Sequence, residues 1–506
     1  MENITYTEAL IEDFGAIGDG STDNSTAFVK AMEYAKSFGK PLKILFEKDA
    51  VYYVAEGNGA LPGVNAAAVT LTQVQDVVFQ GENTTLCVSP NNGFFNIISS
   101  NNVTIKGFNF ENSIHVACIG KLVSVDHTKV SLTVRTEKPL PIDGETYDAY
   151  KIGIPDYFAM PDNNFRSHLY IKQFVKTGEE NTYKLYASQD LLNRYILRLI
   201  DQRQFDIVLP MPGVSHNVVG FHILNCENIH IEDCEFMECG KFVGAIKGNV
   251  GSIYFQNVNM RKHPDTHSPI CAWRDGYHCK DNRGPIYWKN CIVQDLYDDT
   301  FNIASTYLNI RKQMSNTEIE IYCAEGDGTY YDLREGDVFS IYDVYDGKMI
   351  CKSNVVKKVI KQQGAVIKIE TQRPLPTFTL ANCKLIFETM CAPGSVIEDC
   401  YIAGTVRFRG PITVKNTSFK LLLMWLENEC DVEGPIPENI VFENCGFEGE
   451  YPVQERFLEQ YVSVKTCMKN PGIPEYKCEN IQFINCRLEQ NDFYIEEGNN
   501  VKFVKA

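Results

Sequence analysis

Three aspartates, Asp275, Asp298 and Asp299, fall in one short stretch of the chain, AWRDGYHCKDNRGPIYWKNCIVQDLYDDTFNI, spanning 272 to 303. Aligning DGYHC at 275 with DTFNI at 299 gives an offset of 24 residues. If that offset is one turn of a stacked structure, equivalent residues lie about 4.8 Å apart at their Cα atoms. Asp275 then sits beside Asp299, and His278 beside Asn302. Asp298 joins them only if the strand turns or bulges, and Gly276 fits such a bend. Three carboxyls this close repel one another and raise the pKa of at least one. Hydrolysis of a glycosidic bond uses such a set, because one acid must stay protonated for the leaving oxygen while another stays ionised to activate water. The same acids could instead form a solvated turn or a Ca²⁺ site.

Around the trio, Arg274, His278, Arg283 and Asn302 are the expected partners of sugar hydroxyls, since Arg and Asn present donors in fixed geometry. The loop RKHPDTHSPICAW, 261 to 273, lengthens its coil just before Asp275, which lets His263, His267 and Trp273 overhang a cleft. Trp273 reads equally as a stacking platform for a sugar face and as a packing residue. Arg407 and Arg409, in TVRFRGPI, repeat on a later coil the Arg-Gly-Pro-Ile of 283 to 286. Pairing with surface acids is the favoured reading for them, with a place beside the groove as the alternative. No CxxC pair, HExxH or histidine cluster points to zinc, and no GxSxG or Cys-His signature points to a nucleophile. No metal and no cofactor are expected.

The elements that must hold these residues are repeats. A short alternating motif ending in Asn or Asp, often followed by Cys, recurs as IHIEDCEF, IYFQNVNM, IYWKNCIV, VIEDCYI, ITVKNTSF, IVFENCGF and IQFINCRL, with a weaker VTIKGFNF before them. The residue before the Cys position falls at 107, 233, 257, 290, 399, 416, 444 and 485. Period-two alternation means strands and the flanking Gly, Asn and Pro mean turns, so each period is one coil of a right-handed parallel β-helix. Cys234, Cys291, Cys400, Cys445 and Cys486 form a ladder inside it. Two gaps, 107 to 233 and 290 to 399, are too long for structureless loops. Both read as inserted small β-barrels, related through KVSLTVRTEKPLPI and AVIKIETQRPLPT. The expected division is β-helix over 1–112, 216–305 and 391–506, with barrels at 113–215 and 306–390. The stretch DFGAIGDGSTDNSTAFVKAMEYAK predicts a helix, N-capped by Asp23 or Asn24, that plugs the open end and covers its edge. The fold class is all-β apart from this helix.

Bulk composition agrees with a folded chain throughout. Of 506 residues 44% are hydrophobic and 22% charged, and no segment is strongly biased. A net charge of −17 without a basic stripe excludes nucleic acid and anionic membranes as partners. A polyanionic substrate would need a local basic cleft. No run of eighteen apolar residues is present, and the N-terminus lacks a signal-peptide pattern. The 18 cysteines read as reduced core residues. A cytoplasmic location is therefore expected, or secretion if a leader has been removed. A homodimer is among the assemblies admitted.

The DFGAxGDG stretch with its following helix resembles the start of pectin-lyase-like β-helix proteins. D-G-x-H, then R-G-x-I, then D-D-x-x-N one coil later resembles glycoside hydrolase family 110, the inverting α-1,3-galactosidases acting on blood group B and related linear epitopes. That family also carries two barrels inserted in a β-helix. The resemblance implies that Asp275, Asp298 and Asp299 are catalytic, and that the substrate is a terminal α-galactoside of an oligosaccharide or glycoconjugate, cleaved in exo fashion. Inversion with water between acid and base calls for carboxyls roughly 6.5 to 9.5 Å apart. Polygalacturonases, family 28, share a lone Asp followed by an Asp pair and make a polygalacturonase-like hydrolase the alternative. The others are a Ca²⁺-dependent polysaccharide lyase and a non-catalytic carbohydrate-binding β-helix.

Overall fold

The Asn, Asp or Gly that closes each repeat occupies the left-handed region, where only such residues sit at low cost. Gly107, Asp233, Asn257, Asn290, Asp399, Asn416, Asn444 and Asn485 all have φ between 48° and 78°. Their side chains form a hydrogen-bonded ladder, with Asn290 Nδ2 donating to Asn257 Oδ1 and Asn257 Nδ2 to Asp233 Oδ1, both at 2.7 Å. Each turns the chain between two faces of the coil, so these positions fix the register of the stack. The computed structural model describes residues 4–504 except 143–145, 148–150, 154–167, 216, 263–267, 324–331, 344–347, 430–432, 449–461, 468–477, 488–492 and 496–499.

The coils stack as the parallel β-helix expected, with strands in three columns. One column runs through Glu227–Phe236, Ile253–Met260, Ile286–Lys289, Ser395–Glu398, Ile412–Lys415 and Glu438–Glu443. A second uses the later halves of the longer strands. The third, which carries the acidic centre, runs through Phe221–Leu224, Gly244–Lys247, Tyr277–Lys280, Asp299–Thr306 and Tyr401–Phe408. Inward residues stack in rows, as where Phe255 lies 6.0 Å from Trp288 and Phe442 4.7 Å from Phe483, near-parallel in both pairs. The cysteine ladder is internal too: Cys234, Cys291, Cys400 and Cys445 are buried thiols. Cys486, half-buried, continues the row, with its Sγ 3.5 Å from the Phe442 carbonyl oxygen. No disulfide links the described cysteines.

At the N-terminal end the helix Ser25–Phe38 buries Ala27, Phe28, Ala31, Met32 and Ala35 in the β-helix core. Asn24 is its N-cap, and its amide ties the preceding turn by exchanging hydrogen bonds with both backbone groups of Ile17. No helix among the described residues is long and apolar enough to cross a membrane.

Both gaps hold closed six-stranded antiparallel barrels. In the first, Ala117–Asp126, Ser131–Thr136, Thr182–Ala187, His168–Lys176, Lys151–Gly153 and Ile207–Pro210 pair in a ring. In the second the ring is Leu308–Gln313, Glu318–Tyr322, Val366–Thr371, Lys348–Gln363, Val338–Asp343 and Cys383–Phe387. The shared Pro-Leu-Pro turns have equivalent roles, because Leu140 and Leu375 are each buried in the core of their own barrel. The first barrel adds a helix that strand alternation did not predict, Leu191–Arg203, whose N-cap Asp190 accepts from the Asn193 N–H at 2.8 Å. Its Ile196, Leu197 and Ile200 complete the barrel core.

Candidate active site

The offset of 24 residues is one coil. Ala272 bridges Leu296, the Gly276 N–H donates to the Asp299 carbonyl at 2.9 Å, and His278 lies in register with Asn302. The bulge required by Asp298 is present, as a register shift between Asp299 and Phe301 against the next coil. Gly276 serves less as a bend than as a clearance: a Cβ there would lie 2.7 Å from the Thr300 carbonyl oxygen and 2.9 Å from Leu296. Asp275, Asp298 and Asp299 converge, with one carboxylate oxygen of each within 4.8 Å of the others. This is closer than the 6.5 to 9.5 Å expected of acid and base. Two of the three are sequence neighbours across one bulge, which leaves no room for a wider spread.

Each carboxyl has its own surroundings. Asp275 is 2% exposed, and its Oδ2 lies 2.7 Å from His278 Nδ1. Asp299 is 4% exposed and sits on the Arg407 guanidinium, whose Nε is 3.0 Å from Oδ1 and 2.9 Å from Oδ2. Asp298 is the most open, a quarter exposed, and accepts from Arg274 Nε at 3.3 Å. Burial, reinforced by the negative charge of Asp298, pushes the Asp275 carboxyl up to about 8. Burial also pushes Asp299 up, with Arg407 pulling the other way. Asp275 and Asp299 lie close enough to titrate together, and the pair keeps a proton into the neutral range. The alkaline limb of kcat/KM is therefore expected near pH 8. A limb below pH 6 in a pH–rate profile would show that this proton is not used.

A fourth carboxylate stands behind the trio. Glu433, from a short strand antiparallel to Ser305 and Thr306, pairs with Lys280 Nζ at 2.5 Å and accepts from Asn302 Nδ2 at 3.2 Å. Burial alone would raise its carboxyl, but Lys280, Arg407 and Arg409 outweigh burial and hold it well below the ordinary range. Glu433 and Lys280 were not singled out from the sequence, since Glu433 belongs to no repeat.

Several expected sugar partners are elsewhere. Trp273 does not overhang the cleft: it is 1% exposed, donates from Nε1 to the Val116 carbonyl at 3.2 Å, and stacks on Tyr297. Arg283 reaches away from the trio to hold Asp337 of the second barrel, with Nε 3.1 Å from Oδ1. Asn302 is buried, and its amide is spent on Asp299, Glu433 and Lys280, so it positions acids rather than facing a sugar. Among the described residues Arg407 pairs with buried Asp299, and Arg409 is wholly buried. Arg274 and His278 do reach the cleft, being about a third and a fifth exposed. His267 lies outside the described residues, as does His263.

The trio is the one group of three acids, among the described residues, whose oxygens could converge on a cation. Arg274 and Arg407 already engage two of its members, which lowers what a divalent ion would gain. Activity is expected to survive exhaustive treatment with EDTA within about twofold. A loss that Ca²⁺ alone reverses would replace this view with a metal-dependent one.

No family model matches the chain. Alpha-1,3-galactosidase A of Shewanella woodyi is 19% identical over 490 residues, covering 88% of this chain and 77% of that protein. Alpha-1,3-galactosidase A of Bacteroides fragilis is 20% identical over 259 residues, covering 48% of this chain and 42% of that protein. Similar solved structures include an exopolygalacturonase of Thermotoga maritima, with TM-score 0.38 and 13% identity over 96% of this chain and 87% of that one. A family 28 exopolygalacturonase of Yersinia enterocolitica has TM-score 0.40 and 11% identity over 99% and 75%. The similarity to alpha-1,3-galactosidase A thus extends from the motifs at 272 to 303 along most of the sequence, in a chain of parallel β-helix architecture.

Proposed function

We propose that the chain removes terminal α-linked galactose, α-1,3-linked in the reading carried over from its relatives, from the ends of glycans with inversion at the anomeric carbon. The observation that carries this is the convergence of three carboxyls in different surroundings, two buried and one open. Asp275 and Asp299 clamp one water between them. Two oxygens no more than 4.8 Å apart, each about 2.8 Å from a shared water, embrace it at an open, roughly tetrahedral angle. Arg407 draws Asp299 toward its ionised form against burial and so readies it to accept the water's proton, while His278 orients Asp275. Asp298, the member open to the cleft, relays the buried pair's proton to the leaving oxygen, and Arg274 steadies it. The base and its water thus lie together on the floor with the acid at the mouth, so the short spacing within the trio is compatible with inversion.

The test is proton NMR of the first product released from an α-galactoside, read before mutarotation. β-Galactose is expected. α-Galactose, or a trapped galactosyl-aspartate, would mean direct attack by a carboxylate.

A further inference from the structure

On the N-terminal side of the trio, a pocket of about 270 Å³ lies over the third column of strands. It is reached from His278 by stepping down one coil to Ala245 and two to His222, with Lys247 one coil below Lys280, so it begins within about 10 Å of the acids. Three lysines line it: Lys241, Lys247 and Lys280. The protein carries 65 acids against 48 Lys and Arg, so three ammonium groups around one hollow run against its composition. Two have counter-ions in place. Lys280 pairs with Glu433 at 2.5 Å, and Lys247 lies 3.8 Å from Asp281.

Lys241 has no carboxylate within 4 Å among the described residues. Its Nζ stands 5.0 Å from the centre of the Phe242 ring, and the Arg274 guanidinium stands 5.1 Å from the same ring. Two cations sharing one aromatic ring repel each other; Asp298 already pairs with Arg274, and an anion placed at Lys241 would do the same for the second cation. Burial and Arg274 already lower the proton affinity of this ammonium, with Asp275 opposing.

His222 supplies the second part of the site. Its Nδ1 lies 2.9 Å from Asn96 Oδ1, and Asn96 spends its Nδ2 on the Asn65 carbonyl at 2.9 Å. Nδ1 therefore carries the hydrogen, and Nε2 is left as an acceptor. Burial pushes this imidazole down to about 4, so it is neutral at physiological pH and accepts a hydroxyl without adding charge. A hydroxyl acceptor and an ammonium with no carboxylate within 4 Å among the described residues describe, in one pocket, an acidic sugar better than a neutral one.

We infer that this pocket binds a sugar unit bearing a carboxylate or sulfate, held by Lys241 with a hydroxyl on His222, so that the preferred substrate is an anionic glycan. The inference rests on the trio being the cleavage centre and adds the class of saccharide delivered to it. The test measures affinity by calorimetry on the full chain carrying Asp298→Asn, which prevents turnover. Three α-galactosyl disaccharides serve as ligands, with the second unit neutral, a uronate or sulfated. One or both acidic ligands should bind about tenfold more tightly than the neutral one. The tighter of them identifies the group, and the preference should shrink as salt is raised.

Lys241→Met in the same background should bring the ratio of acidic to neutral affinity close to one. If that variant does not fold, the salt dependence in the Lys241 protein decides alone. Equal or weaker binding of both acidic ligands overturns the inference. Tight, salt-sensitive binding of an acidic ligand with no hydrolysis of any galactoside by the wild type would overturn the galactosidase reading and leave the pocket standing.

Discussion

Asp275→Asn, Asp298→Asn and Asp299→Asn are each expected to lower kcat by about three to four orders of magnitude, the upper range for removing a general acid or base. The loss should come without loss of fold, and for Asp275→Asn with a gain in stability. The sign follows from linkage. The folded-state pKa of Asp275 is raised to about 8, while an unfolded aspartate titrates near 3.9. Below about pH 4 both states hold the proton and nothing is lost. Between about 4 and 8 the unfolded state releases it more readily, so stability falls as pH rises. An amide at 275 removes that penalty. The melting temperature of Asp275→Asn should therefore exceed that of the wild type at pH 8 and approach it at pH 5. Full activity in two of the three variants, or a melting difference that does not change with pH, would remove the trio from the centre of the mechanism.

Arg407→Met should have the next largest effect. Arg407 is the cation in contact with both oxygens of buried Asp299, and removing one partner of a buried ion pair costs about 3 to 5 kcal/mol. Protonation of Asp299 limits that cost in acid, so the loss of stability should be larger at pH 8 than at pH 5. Activity should fall at least about a hundredfold, because a protonated Asp299 no longer accepts a proton from water. Arg407→Lys keeps the charge but not the planar fork, and is expected to recover only part of the rate. Wild-type kcat in Arg407→Met would show that Asp299 needs no cation.

What the sequence revealed of this centre was what lies within one uninterrupted pair of coils. Asp275, Asp298, Asp299 and His278 share an offset of one coil, and the turn residues at 233, 257 and 290 set the register on either side. Arg407 is also only one coil from Asn302, but the second barrel stands between them in the chain, and an offset of 105 conceals the neighbourhood. Glu433 is harder still, since it approaches through an antiparallel bridge to Thr306 that no repeat announces. Trp273 was open to two readings because its deciding contact is with Val116, at the entry to the first barrel, 157 residues away. Alternation within a strand tells which face is inward, whereas the partner that covers an outward face comes from distant chain and leaves no local trace.

Both barrels begin and end on neighbouring strands: Ala117 pairs with Pro210 in the first, and Leu308 with Leu385 in the second. Stacking the coil after an insertion onto the coil before it would otherwise mean closing a long loop, and each doubling of loop length costs about 0.6 kcal/mol. Once a barrel has closed, its two ends stand side by side and the chain behaves, for the β-helix, as though a tight turn joined the coils. The barrel thus forgives its own length. The acidic centre, assembled from both sides of the second insertion, inherits the loop entropy of a short connection, and a lineage could lengthen, trade or decorate such an insert while Asp299 and Arg407 remain one strand apart.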